Sequence, residues 1–325
     1  LEADSQFGKI EDLKMNGQRQ WLFEAPPSWE FERDWWFETP AQTVPTSIGS
    51  ESLPPFSTLY VDLNIGCSIK RDRTKVCPLS MTGIFLSENY RFTPLVDLIL
   101  YLQGHHRSPV QRGKSPAPGY YPSNLTINQY WNRRFYPFFA FREGVNASGK
   151  NVILVAPTLG PRSETGNLIQ ASGFDDYIDR VLAAIRRYYA PSMMFDRPLS
   201  LGNLILACHS GGGLPMRHIA LSTASYAAKI RECWGFDCTY NAGDDTGWAR
   251  WAKMNPSSKV FIYYIANSQT APLATSLQTH AQRQKLANVL VSKSSSWDHN
   301  KVPITYWENR IKAAPFLKNR TEVTL

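Results

Sequence analysis

Leu204-Ile205-Leu206-Ala207-Cys208-His209-Ser210-Gly211-Gly212-Gly213 is the stretch that decides the fold. An apolar run runs straight into a serine flanked by small residues, and a helix-forming segment follows. Bulky side chains would clash in so tight a turn, so Ser210 is expected to project its hydroxyl from the strand end. The N-terminal dipole of the helix behind it would favour negative charge formed nearby. A phosphate cradle would also be glycine-rich, but the stretch lacks the lysine and the glycine spacing of a P-loop.

Working outward, similar apolar runs recur. Leu59–Ile65 alternates like a strand and Met81–Leu86 is a second candidate, while Val96–Leu102, Val152–Pro157, Val260–Ile265 and Val289–Val291 are nearly continuous apolar strands. Runs that are apolar at every position, rather than alternating, signal strands buried on both faces of a parallel sheet. Between them, Phe174, Tyr177, Ile178, Val181, Leu182 and Ile185 recur at helical spacing. Leu214–Ile230, Trp248–Met254, Leu273–Leu286 and Ile304–Ala314 are further helices, and a helix near Ile127–Tyr136 falls in a long Pro-, Gly-, Tyr- and Arg-rich segment. This alternation predicts a three-layer α/β sandwich around a mostly parallel central sheet.

Cys208-His209-Ser210-Gly211-Gly212 resembles the nucleophile elbow of the α/β-hydrolase superfamily, whose usual pattern is G-x-S-x-G, with Cys208 in place of the first glycine. The resemblance covers about residues 57 to 318 in element order. It implies an α/β-hydrolase sandwich in which Ser210 is the nucleophile and the chain order is serine, acid, histidine. It also implies an oxyanion hole. In Leu102-Gln103-Gly104-His105-His106, Gln103 stands where the superfamily commonly has histidine, and the N–H of His105 would pair with that of Gly211. The base falls to His299, which follows the last strand; His209 neighbours the nucleophile and is expected to pack or hydrogen-bond there without being the base, His218 falls on the helix after the elbow, and His280 lies in a polar, exposed stretch. The acid is open among Asp237, at the end of the short apolar strand Cys233–Phe236, and Asp244 or Asp245 a few residues on. Asp298 adjoins His299 and would have to turn back to reach its ring. The segment Ile265–Thr270, where many superfamily members carry the acid, has no carboxylate.

Residues 1–55 read differently: Trp21, Trp29, Trp35 and Trp36 lie among acidic residues and prolines with weak periodicity. They are expected to form an aromatic-rich arm packing on a catalytic domain at 56–325, or a lid or polymer-binding platform. The chain of 325 residues carries a net charge of +8, but its basic residues are scattered, without a run or a nucleic-acid motif, so nucleic acid is not an expected partner. No apolar run reaches the roughly 20 residues of a membrane span. Leu1-Glu2-Ala3-Asp4 reads as a mature or trimmed start. Cys67 and Cys77, and Cys233 and Cys238, are each near enough in sequence to pair, while Cys208 reads as a buried thiol; none has zinc spacing. That usage suits a secreted or periplasmic protein, with a cytosolic one as the alternative. Sequons occur at Asn124, Asn146 and Asn319.

The function expected from the resemblance is cofactor-free and metal-free serine hydrolysis of a small-molecule or polymeric carboxylic ester. Amide or peptide cleavage by the same triad is the alternative. An acyltransferase, or a non-catalytic module recognising a polysaccharide or envelope polymer, are the remaining readings.

Overall fold

The computed structural model describes residues 10–15, 18–23, 57–63, 68–69, 75–76, 81–105, 140–160, 163–189 and 198–324. Its centre is an eight-stranded sheet. The strands, in chain order, are β1 (Ser57–Asp62), β2 (Met81–Leu86), β3 (Leu95–Leu102), β4 (Ile153–Pro157), β5 (Ser200–His209), β6 (Ile230–Phe236), β7 (Lys259–Tyr264) and β8 (Val289–Lys293). Across the sheet they run β1-β2-β4-β3-β5-β6-β7-β8. The β1–β2 and β2–β4 pairs are antiparallel and every other pair is parallel.

The helices are α1 (Phe141–Ala147), α2 (Ala171–Tyr189), α3 (Gly213–Ala220), α4 (Asp244–Met254), α5 (Ala271–Arg283) and α6 (Val302–Ala313). Strand alternation explains the unbroken apolar runs. Val96, Leu98, Leu100, Leu204, Leu206, Val260 and Ile262 face one core with α2, α3, α4 and α5. Ile99, Tyr101, Ile205, Ala207, Phe261 and Tyr263 face the other with α1 and α6. A sheet covered on both sides has no polar face to write into the sequence.

Trp307 of α6 anchors the second layer. It is fully buried, its centroid lies 4.6 Å from Phe141 and 5.8 Å from Trp234, and its Nε1–H donates to the Phe141 carbonyl at 2.9 Å. Gly144 faces it so closely that a Cβ there would stand 2.5 Å from the indole. Beside it Glu232 is buried, but it accepts from Trp234 Nε1 at 2.6 Å and from Arg310 at 3.0 Å. A buried carboxylate is tolerated only with such partners.

Two expectations are corrected. The helix predicted from Leu214 to Ile230 ends at Ala220; the Ser222 hydroxyl bonds back to the Ile219 carbonyl, and a short 3₁₀ turn, Ser225–Lys229, leads into β6. Such local side-chain bonds compete with helix continuation. Cys233 and Cys238 do not pair; Cys208, Cys233 and Cys238 are all free and buried. Gly235 sits under the Cys238 sulfur, which lies 2.5 Å from where a Cβ would be. Cys67, Cys77 and the helix expected near Ile127–Tyr136 lie outside the described residues. Of the N-terminal arm, an antiparallel hairpin joins Ile10–Met15 to Gln18–Phe23. Trp29, Trp35, Trp36 and the packing of the arm lie outside the described residues.

Candidate active site

The site forms where β5 and β6 end side by side. His209 and Phe236 are register partners, so the next residues, Ser210 and Asp237, leave the sheet at the same level. Both have left-handed backbones, with φ of 53° at Ser210 and 47° at Asp237. That conformation is uncommon outside glycine and costs on the order of 1–2 kcal/mol. At Ser210 it is the sharp bend that the flanking small residues foretold, leading through one tight turn into α3.

The bend is possible because its surroundings are stripped of side chains. A Cβ on Gly104 would stand 2.6 Å from Ser210 Cβ and 2.8 Å from the His209 carbonyl; one on Gly212 would stand 2.3 Å from the Leu102 carbonyl. The loop after β3 therefore lies directly against the elbow. Its next residue, His105, covers Gly211, whose Cβ would fall 2.2 Å from the imidazole. The two expected oxyanion donors, His105 and Gly211, are thus on touching segments. Gln103 explains its own presence: it is buried, its side-chain NH₂ donates to the Leu159 carbonyl at 2.9 Å, and its main-chain carbonyl accepts from the Ser163 hydroxyl at 3.0 Å. It hooks the β3 loop to the segment after β4.

His299 lies beyond β8, on a turn capped by the Asp298 side chain, which accepts from the Asn300 N–H. Its Nδ1 lies 2.6 Å from Asp237 Oδ2. Asp237 is 2% exposed at its side chain and His299 35%. Burial by itself would raise the Asp237 pKa. The hydrogen bonds from His299, Thr270 and the Ile265 N–H together outweigh it and hold the carboxyl below its ordinary value. Oδ1 accepts from Ile265 N–H at 3.2 Å and from the Thr270 hydroxyl. The Ile265–Thr270 segment thus carries no carboxylate itself but holds Asp237, which follows β6.

The other carboxylates are occupied elsewhere. Asp244 pairs with Arg217 at 2.9 Å and accepts from the Asn241 N–H. Asp245 accepts from Ser276 at 2.5 Å and lies 3.6 Å from His280, linking α4 to α5. His218 is exposed on α3.

Two neighbours, Thr270 and Tyr240, carried no sequence signal, and His209, expected to pack or hydrogen-bond beside Ser210, finds its partner in His299. Thr270 acts on Asp237 across the chain. His209 Nε2 lies 3.0 Å from the His299 carbonyl. Tyr240 lies edge-on to the His299 ring at 6.4 Å; burial first, and the Asp237 charge next, push its pKa up to about 12, so it stays a neutral phenol. Among the described residues no cluster of His, Cys, Asp or Glu could hold a metal ion, and no helix is long and apolar enough to cross a membrane.

A left-handed serine after the central parallel strand, a helix behind it, and an Asp–His pair in the order serine, acid, histidine decide the architecture. The fold is that of the α/β-hydrolases. No family model and no curated protein sequence matches the chain. Among solved structures, a ferulic acid esterase is 10% identical, covering 79% of this chain and 98% of its own, with a TM-score of 0.47. The fluorophosphonate-binding serine hydrolase F of Staphylococcus aureus is 10% identical over 80% of this chain and 99% of its own, TM-score 0.47. A feruloyl esterase module from Clostridium thermocellum, complexed with sinapinate, is 11% identical over 85% and 93%, TM-score 0.44. The fold assignment rests on the strand order and the elbow, not on these superpositions.

Proposed function

We propose that this α/β-hydrolase-fold chain cleaves carboxylic esters through an acyl-enzyme. The observation that carries the reading is the 2.6 Å contact between Asp237 and His299 Nδ1, made beside the strand end that presents Ser210. An ionised Asp237 only accepts, so Nδ1 carries the proton and Nε2 keeps a lone pair. Nε2 then takes the Ser210 proton as the hydroxyl attacks the acyl carbonyl. Asp237 stabilises the imidazolium that forms. The N–H groups of Gly211 and His105 would receive the oxyanion, and the dipole of α3 favours the same charge. His299 then protonates the departing alcohol. Water attacks the acyl-Ser210, with His299 again as base, and the acid is released with Ser210 restored.

An acyl group of aromatic or moderately hydrophobic character fits the surroundings. Tyr240 stands at the His299 ring 38% exposed, and Trp297, two residues before His299, is 85% exposed. A panel of aryl and alkyl esters beside matched amides tests the reading. Esters should turn over faster than amides, and Ser210→Ala should lower ester turnover at least about a thousandfold. Retention of activity by Ser210→Ala ends the reading; amides turning over faster than esters would replace it with the amidase.

A further inference from the structure

His209 ends β5, immediately before Ser210, yet the mechanism above gives it nothing to do. It is 2% exposed, and its centroid lies 4.3 Å from that of the His299 ring, the planes tilted by 37°. Its Nε2 faces the His299 main-chain oxygen at 3.0 Å. A carbonyl can only accept, so the nitrogen facing it must carry the hydrogen. The ring is thereby fixed as the Nε2–H tautomer. Burial chiefly, and the neighbouring His299 imidazole next, push its pKa down to about 3, against the opposing pull of the carbonyl bond and Asp237. His209 is therefore neutral wherever a histidine base could work.

We propose that His209 is a positioning residue, tying the main chain of His299 to the strand that presents Ser210 while staying neutral beside the imidazole that carries the transferred proton. The need for such a tie is visible in the loop. Between β8 and α6 the loop is held at its start by Ser294 N–H to the Tyr264 carbonyl and Ser295 N–H to the Tyr306 hydroxyl, while the turn bearing His299 is braced by Ser296 with Asp298 and by Asp298 with Asn300. Asp237 grips the far side of the ring but not the backbone that carries it. The His209 bond supplies the second point of attachment, from the strand whose end sets the nucleophile. A misplacement of about 1 Å between base and nucleophile is worth roughly a hundredfold in rate. The neutrality matters equally, because a second cation at this separation would oppose the His299 imidazolium in the transition state.

The consequence for rate rests on the hydrolytic reading; the tie itself does not. Two nearly isosteric variants separate packing from hydrogen bonding. His209→Gln keeps a side-chain N–H for the same carbonyl, and His209→Met has none. His209→Met should lower kcat for an aryl ester, and fluorophosphonate labelling of Ser210, roughly 10- to 100-fold with KM within about threefold, and His209→Gln should restore most of it. Equal rates in the two folded variants overturn the proposal. Nitrogen-15 NMR of the unsubstituted protein decides it even if the methionine chain does not fold. His209 should remain the neutral Nε2–H tautomer from about pH 5 to 8, the span in which an ordinary histidine titrates; titration in that window, or the Nδ1–H form, overturns it. Failure of the unsubstituted protein to label would instead defeat the hydrolase reading, with the NMR result still judging the tie.

Discussion

Replacing Asp237 by Asn changes one oxygen into an NH₂ group, and the structure dictates which one. Oδ1 accepts from the Ile265 N–H at 3.2 Å and from Thr270. The Ile265 donor is main chain and cannot turn away, so the asparagine must place its carbonyl oxygen there. Its NH₂ group then faces His299 Nδ1, which Oδ2 approaches to 2.6 Å. A donor at that position makes Nδ1 the acceptor and moves the ring proton to Nε2, the nitrogen that should receive the Ser210 proton. The base is left in the wrong tautomer, and the imidazolium loses its counter-charge. Elsewhere this exchange costs about 10⁴ in rate, or about 5.5 kcal/mol at 1.36 kcal/mol per decade. Asp298→Asn is the matched control, since asparagine caps a helical turn as well as aspartate does; it should stay within about threefold of the parent. The assay is kcat/KM for an aryl ester at pH 7, with circular dichroism to confirm folding. A loss below tenfold for Asp237→Asn, or a larger loss for Asp298→Asn, refutes the assignment of the acid.

Three further outcomes follow from the same geometry. Gly104→Ala drives a methyl group to within 2.6 Å of Ser210 Cβ and 2.8 Å of a main-chain oxygen, so ester turnover should fall at least about a hundredfold; an alanine variant of normal rate would mean the β3 loop does not set the site. Trp307→Ala removes the fully buried indole from the second core, which should cost about 3–5 kcal/mol in urea unfolding; a loss under about 1 kcal/mol would contradict the packing. The pKa of His209, lowered from 6.5 to about 3, makes stability pH-dependent. The unfolded chain binds a proton there that the folded chain refuses, so this stabilisation is complete above about pH 6.5 and is lost progressively as pH falls toward 3. At about 1.4 kcal/mol per unit, it is on the order of 5 kcal/mol. The depressed Asp237 carboxyl acts in the same direction at lower pH. His209→Gln should flatten the urea midpoint between pH 7 and 4; an unchanged slope would show that His209 is not buried neutral.

The parts of this molecule that were legible in the sequence are those whose physics is local. Val96–Leu102 and Leu204–Cys208 announce two-sided burial by having no polar face, and the sheet has none to offer. The left-handed bend at Ser210 is written in the small residues that make room for it. His299 follows from chain order. Asp237 could be ranked above Asp244 and Asp245 but not separated from them, because the separation lies in Ile265 and Thr270, both far along the chain. Thr270 and Tyr240 gave no signal because each reaches the site through residues that no spacing rule connects to it; His209 was legible as a neighbour of the nucleophile, but not its bond to the main chain of His299. The helix that stops at Ala220 misled because Leu221, Ala224, Ala227 and Ile230 continue a spacing of three, while Ser222 breaks the backbone ladder. The Cys233–Cys238 pairing misled because nearness in sequence, even within one core, does not bring two sulfurs to bonding distance.

The central claim is that one hydroxyl, Ser210, is made nucleophilic by the imidazole that Asp237 orients. Intact-protein mass spectrometry after treatment with a fluorophosphonate, followed by peptide mapping, measures that directly. One phosphonyl adduct should form, on the serine of the peptide spanning residues 204–217, and Ser210→Ala should carry none. An unmodified parent chain, or an adduct that persists in Ser210→Ala, would contradict the account.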